Sequence, residues 1–141
     1  SKYIDHNKYQ GIDVNPAFIK YGKNRGLNLS LVDVAKDKWP AAECVVILGS
    51  LYQFIPDHEE IIGKAFRIAQ KRVIISEPII NLAQSKNYFI AGIAWCLTSP
   101  GVDSSRERFN RDSIMTLYKK YGVSKVFDAG REMVGVFNIA D

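Results

Sequence analysis

The chain has little of what builds metal sites, disulfide frameworks or membrane spans. Its 141 residues include only two cysteines and two histidines. Cys44 and Cys96 stand far apart among apolar neighbours, with no Cys-x-x-Cys pair and no histidine nearby, which excludes a zinc site of ordinary spacing. Both are read as buried free thiols in a reducing compartment. His6 and His58 show no partner pattern and are read as surface residues, and no metal is expected. The longest apolar stretch, 88–97, is broken by Gly92 and reaches about half of what a bilayer crossing needs. With no signal peptide ahead of it, the expectation is a cytoplasmic protein without membrane contact. Charge is not concentrated either: 19 basic and 15 acidic residues lie singly or in pairs such as Lys71-Arg72 and Lys119-Lys120. Lacking a basic stripe interleaved with aromatics, the chain is not expected to bind nucleic acid.

What is present is a globular composition, 47% hydrophobic and 24% charged, without repeats or low-complexity tracts. The length fits a single domain, 1–141, with one core. A short strand over 9–13 is followed by Asn15-Pro16, a cap and first-turn proline, opening a helix that carries Phe18, Ile19 and Tyr21 and stops at Gly26. The segment 28–34 alternates as a half-covered strand, with Asp33 at its carboxyl end. Cys44-Val45-Val46-Ile47-Leu48 is continuously apolar, the pattern of a central strand buried on both faces of a parallel sheet.

Asp57-His58-Glu59-Glu60 reads as a capping box before a helix with Ile61, Ile62, Ala65, Phe66 and Ala69 on one face. A buried strand over 72–76 follows, then an irregular portion, 79–104, expected as a helical insertion with a helix over 82–97 and a stop at Ser99-Pro100-Gly101. Phe109 before the cap Asn110, with Ile114 four positions beyond it, forms a hydrophobic staple for a helix that Gly122 closes. Strands over 124–129 and 132–139, separated by Gly130-Arg131, end the chain. The alternation demands an α/β fold, a doubly wound, mostly parallel sheet with helices on both faces. The last two strands, joined by a tight turn, must form an antiparallel pair.

In such sheets ligands bind beyond the carboxyl ends of the strands. That rule selects Asp13, Asp33, Gly49-Ser50 and Glu77-Pro78 for one rim. A carboxylate at a strand end can accept both hydroxyls of a ribose, which suits Asp13; membership of the turn with Asn15-Pro16 suits it equally. Asp33 can accept an adenine amine while Val34 packs on the ring and Leu51 or Ile12 covers the other face; a solvated loop aspartate is the plainer reading. Gly49 allows close approach of a ligand to the backbone, or simply begins a strand-to-helix loop. Glu77 can bind substrate or act as a base, or serve the turn before Pro78.

Tyr9-Gln10-Gly11-Ile12-Asp13-Val14-Asn15 resembles the second-strand motif of class I S-adenosylmethionine-dependent methyltransferases, and Leu29-Ser30-Leu31-Val32-Asp33-Val34 resembles the third. Residues 43–57 resemble the fourth strand and its loop, and residues 72–78 the fifth. The resemblance implies S-adenosylmethionine as cofactor, with Asp13 and Val14 at the ribose, Asp33 and Val34 at the adenine, and Gly49, Ser50 and Leu51 facing the methionine moiety. Tyr52, Glu77, Tyr88 and Trp95 would stand nearer the acceptor, a small molecule, though core packing also accounts for the aromatics.

Family members begin this domain with a strand and a glycine-rich loop, and residues 1–8 hold no counterpart. A fragment of a longer protein is the expected explanation, ahead of a naturally shortened form or a strand borrowed from a partner. The neighbouring strand's edge would then be open to pairing, so a homo-oligomer or a partner chain is expected there. Two rival functions remain: a non-catalytic methyltransferase-like scaffold, and a nicotinamide-dependent oxidoreductase, against which Asp33 and the terminal antiparallel pair both stand.

Overall fold

A computed structural model describes Asp5, residues 8–79 and residues 108–139. The expected helix over 82–97, and with it Tyr88, Trp95 and Cys96, lies outside the described residues, as does His6. The chain divides into two compact units, Ser1–Pro40 and Ala41–Asp141.

In the first unit, β1 (Gly11–Asp13) and β2 (Leu29–Leu31) pair in parallel, with α1 (Pro16–Lys23) between them in sequence. The helix starts where the sequence says it should. Asn15 Oδ1 accepts the Ala17 amide at 2.9 Å, and Pro16 occupies the first turn, where no amide donor is needed. Glycine sets the packing distance: a Cβ on Gly22 would lie 2.2 Å from Leu29 Cδ1, and one on Gly11 would lie 2.5 Å from Leu29 Cδ2. Leu29 therefore fills the space that two absent side chains leave between helix and strand. The second strand is shorter than its alternating pattern implies, and Asp33 stands two residues past its end.

The second unit holds a four-stranded sheet in the order β3 (Ala42–Leu48), β4 (Ala69–Pro78), β6 (Glu132–Asn138), β5 (Lys125–Ala129). β3 and β4 are parallel and joined through α2 (His58–Ile68). β6 runs antiparallel to both β4 and β5, the reversed strand that the tight turn at Gly130, with φ of 66°, requires. α3 (Arg111–Lys120) begins with a reciprocal capping box between Asn110 and Ser113, and the stapling residues Phe109 and Ile114 are both buried. Among the described residues this is an α/β fold with three helices and mixed pairing, and no helix is long and apolar enough to cross a membrane.

Three expectations are corrected. Cys44-Val45-Val46-Ile47-Leu48 is not the buried centre of the sheet: Val46 and Leu48 are 56% and 67% exposed, Cys44 is exposed, and only Ile47 is buried. Among the described strands β3 pairs on one side alone, whereas β4 pairs on both and buries Val73, Ile75, Ser76 and Glu77. Apolar content alone does not rank strands by position. Ala69 belongs to β4 rather than to the helix face, because the chain passes from α2 into the strand without a loop. Asp57 makes no side-chain cap bond to α2, so the capping box read over 57–60 is absent there.

The core of this unit is organised around Tyr118 of α3. Its hydroxyl lies 2.9 Å from the carbonyl oxygens of both Ile75 on β4 and Met133 on β6, and its ring packs edge-on against Phe137. The ring can come this close because residue 135 is glycine; a Cβ there would lie 2.8 Å from two ring carbons. Phe66 of α2 extends the cluster, edge-on to Phe137 and stacked on Tyr121. Gly135→Ala should destabilise the fold by about 1–3 kcal/mol through overpacking. Tyr118→Phe should cost about 1–2 kcal/mol through the lost hydroxyl bond. Urea denaturation of both variants checks these values.

Candidate functional site

The carboxyl ends of β3 and β4 lie side by side, Leu48 paired with Ser76, so the turn leaving β3 meets the end of β4. Gly49 makes that turn with φ of 57°, a left-handed value natural to glycine, and its amide donates to the Ser76 carbonyl at 2.8 Å. Among the described residues a Cβ at Gly49 would meet nothing within 4 Å, so glycine is required there by the backbone conformation rather than by a close neighbour. The chain then tightens into a 3₁₀ turn, Leu51–Phe54.

Three successive amides of this turn converge on one side chain. Ser50 and Leu51 donate to Glu77 Oε1 at 3.0 and 2.8 Å, and Tyr52 donates to Oε2 at 3.4 Å. Glu77 is fully buried. Burial pushes its carboxyl up to about 7 from the usual 4.5, against the pull of the amides, and the nearby Glu132 adds to the rise. Glu132 in turn accepts the Ser76 hydroxyl, and the hydroxyl of Tyr118 has its own acceptors, so neither hydroxyl serves Glu77.

The residues expected on this rim therefore divide. Gly49 and Ser50 are part-exposed where the turn begins. Leu51, expected against the cofactor, has no exposed surface; its side chain belongs to the core and only its amide takes part in the turn. Tyr52, expected toward the acceptor, is 7% exposed with the Arg108 guanidinium 3.9 Å above its ring. Glu77, expected as a substrate ligand or base, has its carboxylate turned inward onto backbone. What made Glu77 legible was its position at the end of an apolar strand; what hid its role was that its partners lie 25 to 27 residues away.

In the first unit, Asp13 Oδ1 accepts the Asn15 amide at 2.7 Å, which realises the turn reading. Among the described residues only that oxygen is engaged. Val14 beside it is 57% exposed. Asp33 is more heavily committed: Oδ1 accepts the Ala35 amide and Oδ2 pairs with Lys36 at 3.2 Å, which holds its carboxyl below the usual range. Its own amide donates to Asp37, and the Val34 carbonyl accepts the Trp39 indole. The β1 and β2 ends are tied by Val32 donating to the Asp13 carbonyl at 3.0 Å.

His58 departs from the surface reading. It is part-buried, edge-on to Phe109 at 5.3 Å, and its Nδ1 is buried without a hydrogen-bond partner among the described residues. It borders a crevice of about 450 Å³ between the starts of α2 and α3, lined also by Ile55, Arg108, Ser113 and Lys120. Sequence reasoning missed this feature, since its walls come from segments some 50 residues apart.

No protein-family model matches this chain, and no curated protein matches it. Solved structures do match, and they define the class: the fold is that of the class I S-adenosylmethionine-dependent methyltransferases. Magnesium protoporphyrin IX methyltransferase from Synechocystis PCC 6803, with bound SAH, is similar at a TM-score of 0.64 and 14% identity, covering 93% of this chain and 64% of that one. N-methyltransferase NodS from Bradyrhizobium japonicum WM9 is similar at 0.60 and 10% identity, over 96% of this chain and 75% of that one. An O-methyltransferase family protein from Burkholderia thailandensis gives 0.58 and 16%, over 93% and 43%. The chain thus spans less than two thirds of the length of the first and the last of these.

Because the carboxyl of Glu77 sits higher in the folded protein than the ordinary 4.5, folding takes up a proton between those two values. Its contribution to stability is fully present below about pH 4.5 and is lost as pH rises through about 7, a change on the order of 3 kcal/mol. Glu77→Gln removes this dependence. Denaturation measured from about pH 5 to about pH 8 should show the native protein losing stability relative to the variant; parallel curves would mean that Glu77 does not titrate in this range.

Proposed function

We propose that the protein catalyses S-adenosylmethionine-dependent methyl transfer to a small-molecule acceptor. The observation that carries the reading is the fold match over 93% of the chain to a methyltransferase holding SAH.

The residues present fit the cofactor. One carboxylate oxygen of Asp13 is assigned to a ribose hydroxyl while the other holds the amide of Asn15, the residue that caps α1. Val14, exposed beside it, offers an apolar surface to the same group. Asp33 and Val34 are assigned to adenine, Asp33 through lone pairs not taken by Ala35 and Lys36. In the second unit, the open side of Gly49 and the adjoining Ser50 backbone are assigned to the methionine end.

When bound, S-adenosylmethionine supplies a methyl group already activated by sulfonium charge. The protein's own work is then chiefly to orient donor and acceptor in line and to keep water from the reacting carbon. A general base is needed only where the acceptor must lose a proton early. Glu77 is engaged with backbone, so that role falls to another residue if the acceptor demands it.

Calorimetric titration of S-adenosylhomocysteine into the whole product of the gene tests the proposal. Micromolar binding is expected, weakened at least about tenfold by Asp13→Ala, a loss of about 1.4 kcal/mol or more. Asp13→Asn, which keeps an acceptor for the Asn15 amide, separates the loss of the ribose contact from loss of the turn. No binding to the native protein would sink the enzymatic reading and leave a non-catalytic module with this fold.

A further inference from the structure

We propose that Glu77 is the positioning residue of the turn after β3, its buried carboxylate aiming the Ser50, Leu51 and Tyr52 amides and thereby setting the side of the turn that faces ligand. The ligand named in the test rests on the methyltransferase reading; the positioning role itself does not.

The geometry separates this role from ordinary packing. An apolar residue at 77 would fill the same space without the penalty of burying a carboxylate. The turn has no local substitute either: Ser50 precedes the 3₁₀ segment without a side-chain cap bond, and the amides are capped instead from the neighbouring strand. One rigid group in the most heavily paired strand thus determines the direction of three consecutive peptide units. Since Gly49 precedes them with a left-handed φ and open space beside it, the direction of those peptides decides what the open side presents.

The surroundings make the arrangement proton-linked. Facing Glu77 are the turn amides from the β3 side, Glu132 from β6 and the Tyr118 hydroxyl from α3, with Ser76 on its own strand donating to Glu132. None of these supplies a positive charge, and Glu132 opposes the ionised form. The two oxygens are unequal: Oε1 holds two amides at 3.0 and 2.8 Å, and Oε2 holds one at 3.4 Å. A proton therefore enters on Oε2, which leaves the Ser50 and Leu51 bonds in place and weakens the longer Tyr52 bond. Tyr52 joins the clamped start of the turn to its end, its carbonyl accepting the Ile55 amide at 3.4 Å.

The test follows the amide resonances of Ser50, Leu51 and Tyr52 by proton–nitrogen correlation spectra from about pH 5.5 to about pH 8.5, without ligand. The three should move with one midpoint near 7, Tyr52 by the largest amount, and the movement should vanish in Glu77→Gln while the β5 resonances and those of β4 before Ile74 keep their positions. Amides that stay fixed across the range in the native protein overturn the proposal, whether or not the variant folds; so do amides that titrate unchanged in Glu77→Gln. S-adenosylhomocysteine affinity over the same range should change severalfold with the same midpoint and become flat in the variant. Binding that is flat in the native protein while its amides titrate overturns the ligand-facing part. Titrating amides with no binding at any pH retire the methyltransferase reading and support the positioning role alone.

Discussion

A carboxylate with no exposed surface must find its compensation inside the protein, and Glu77 finds it in the backbone of another segment. The two strong bonds from Ser50 and Leu51, each worth about 1.5–3 kcal/mol because one partner is charged, tie the loop after β3 to the end of β4. That tie holds a strand with pairing on one side against a strand with pairing on both. Beside it, the Gly49 amide donates to the Ser76 carbonyl, a second bond between the same two segments.

Beneath this contact the second unit is arranged so that β4 stays fixed. β3 and β6 flank it, and Tyr118 places its hydroxyl between carbonyls of β4 and β6 while its ring lies on Gly135. A tyrosine in that place adds a polar link where Phe would add only area, and it needs a residue without a Cβ opposite. The first unit uses the same device in smaller form, with Leu29 seated against Gly11 and Gly22. In both units glycine decides how closely two layers approach, and the larger side chain then fills the gap.

The site was partly legible in the sequence. Asp13 and Gly49 stand at strand ends, as their motifs imply, because a strand's end can be read from where its apolar run stops and a turn residue begins. The turn role of Asp13 was legible too, since Asn15-Pro16 announces the helix, and the carboxylate accepts the amide of the capping Asn15. Asp33 was legible only by position: its engagement with Ala35, Lys36 and Asp37 depends on the turn that the shorter β2 leaves behind. The crevice bordered by His58 and Arg108 was not legible, because no local pattern relates the starts of two helices so distant in sequence.

The sequence by itself determined the order of strands and helices, the caps at Asn15 and Asn110, and the reversed final strand, since each rests on periodicity or on residues within a few positions of one another. Tertiary structure alone decided which strand is central. Val45, Val46 and Ile47 are as apolar as Val73, Ile74 and Ile75, yet among the described residues β4 buries Val73 and Ile75 while the face of β3 that carries Cys44, Val46 and Leu48 is exposed. It also decided that Glu77 faces inward. A side chain's local pattern states its chemistry, but whether a carboxylate meets solvent, a ligand or three amides depends on which distant backbone the sheet register brings beside it.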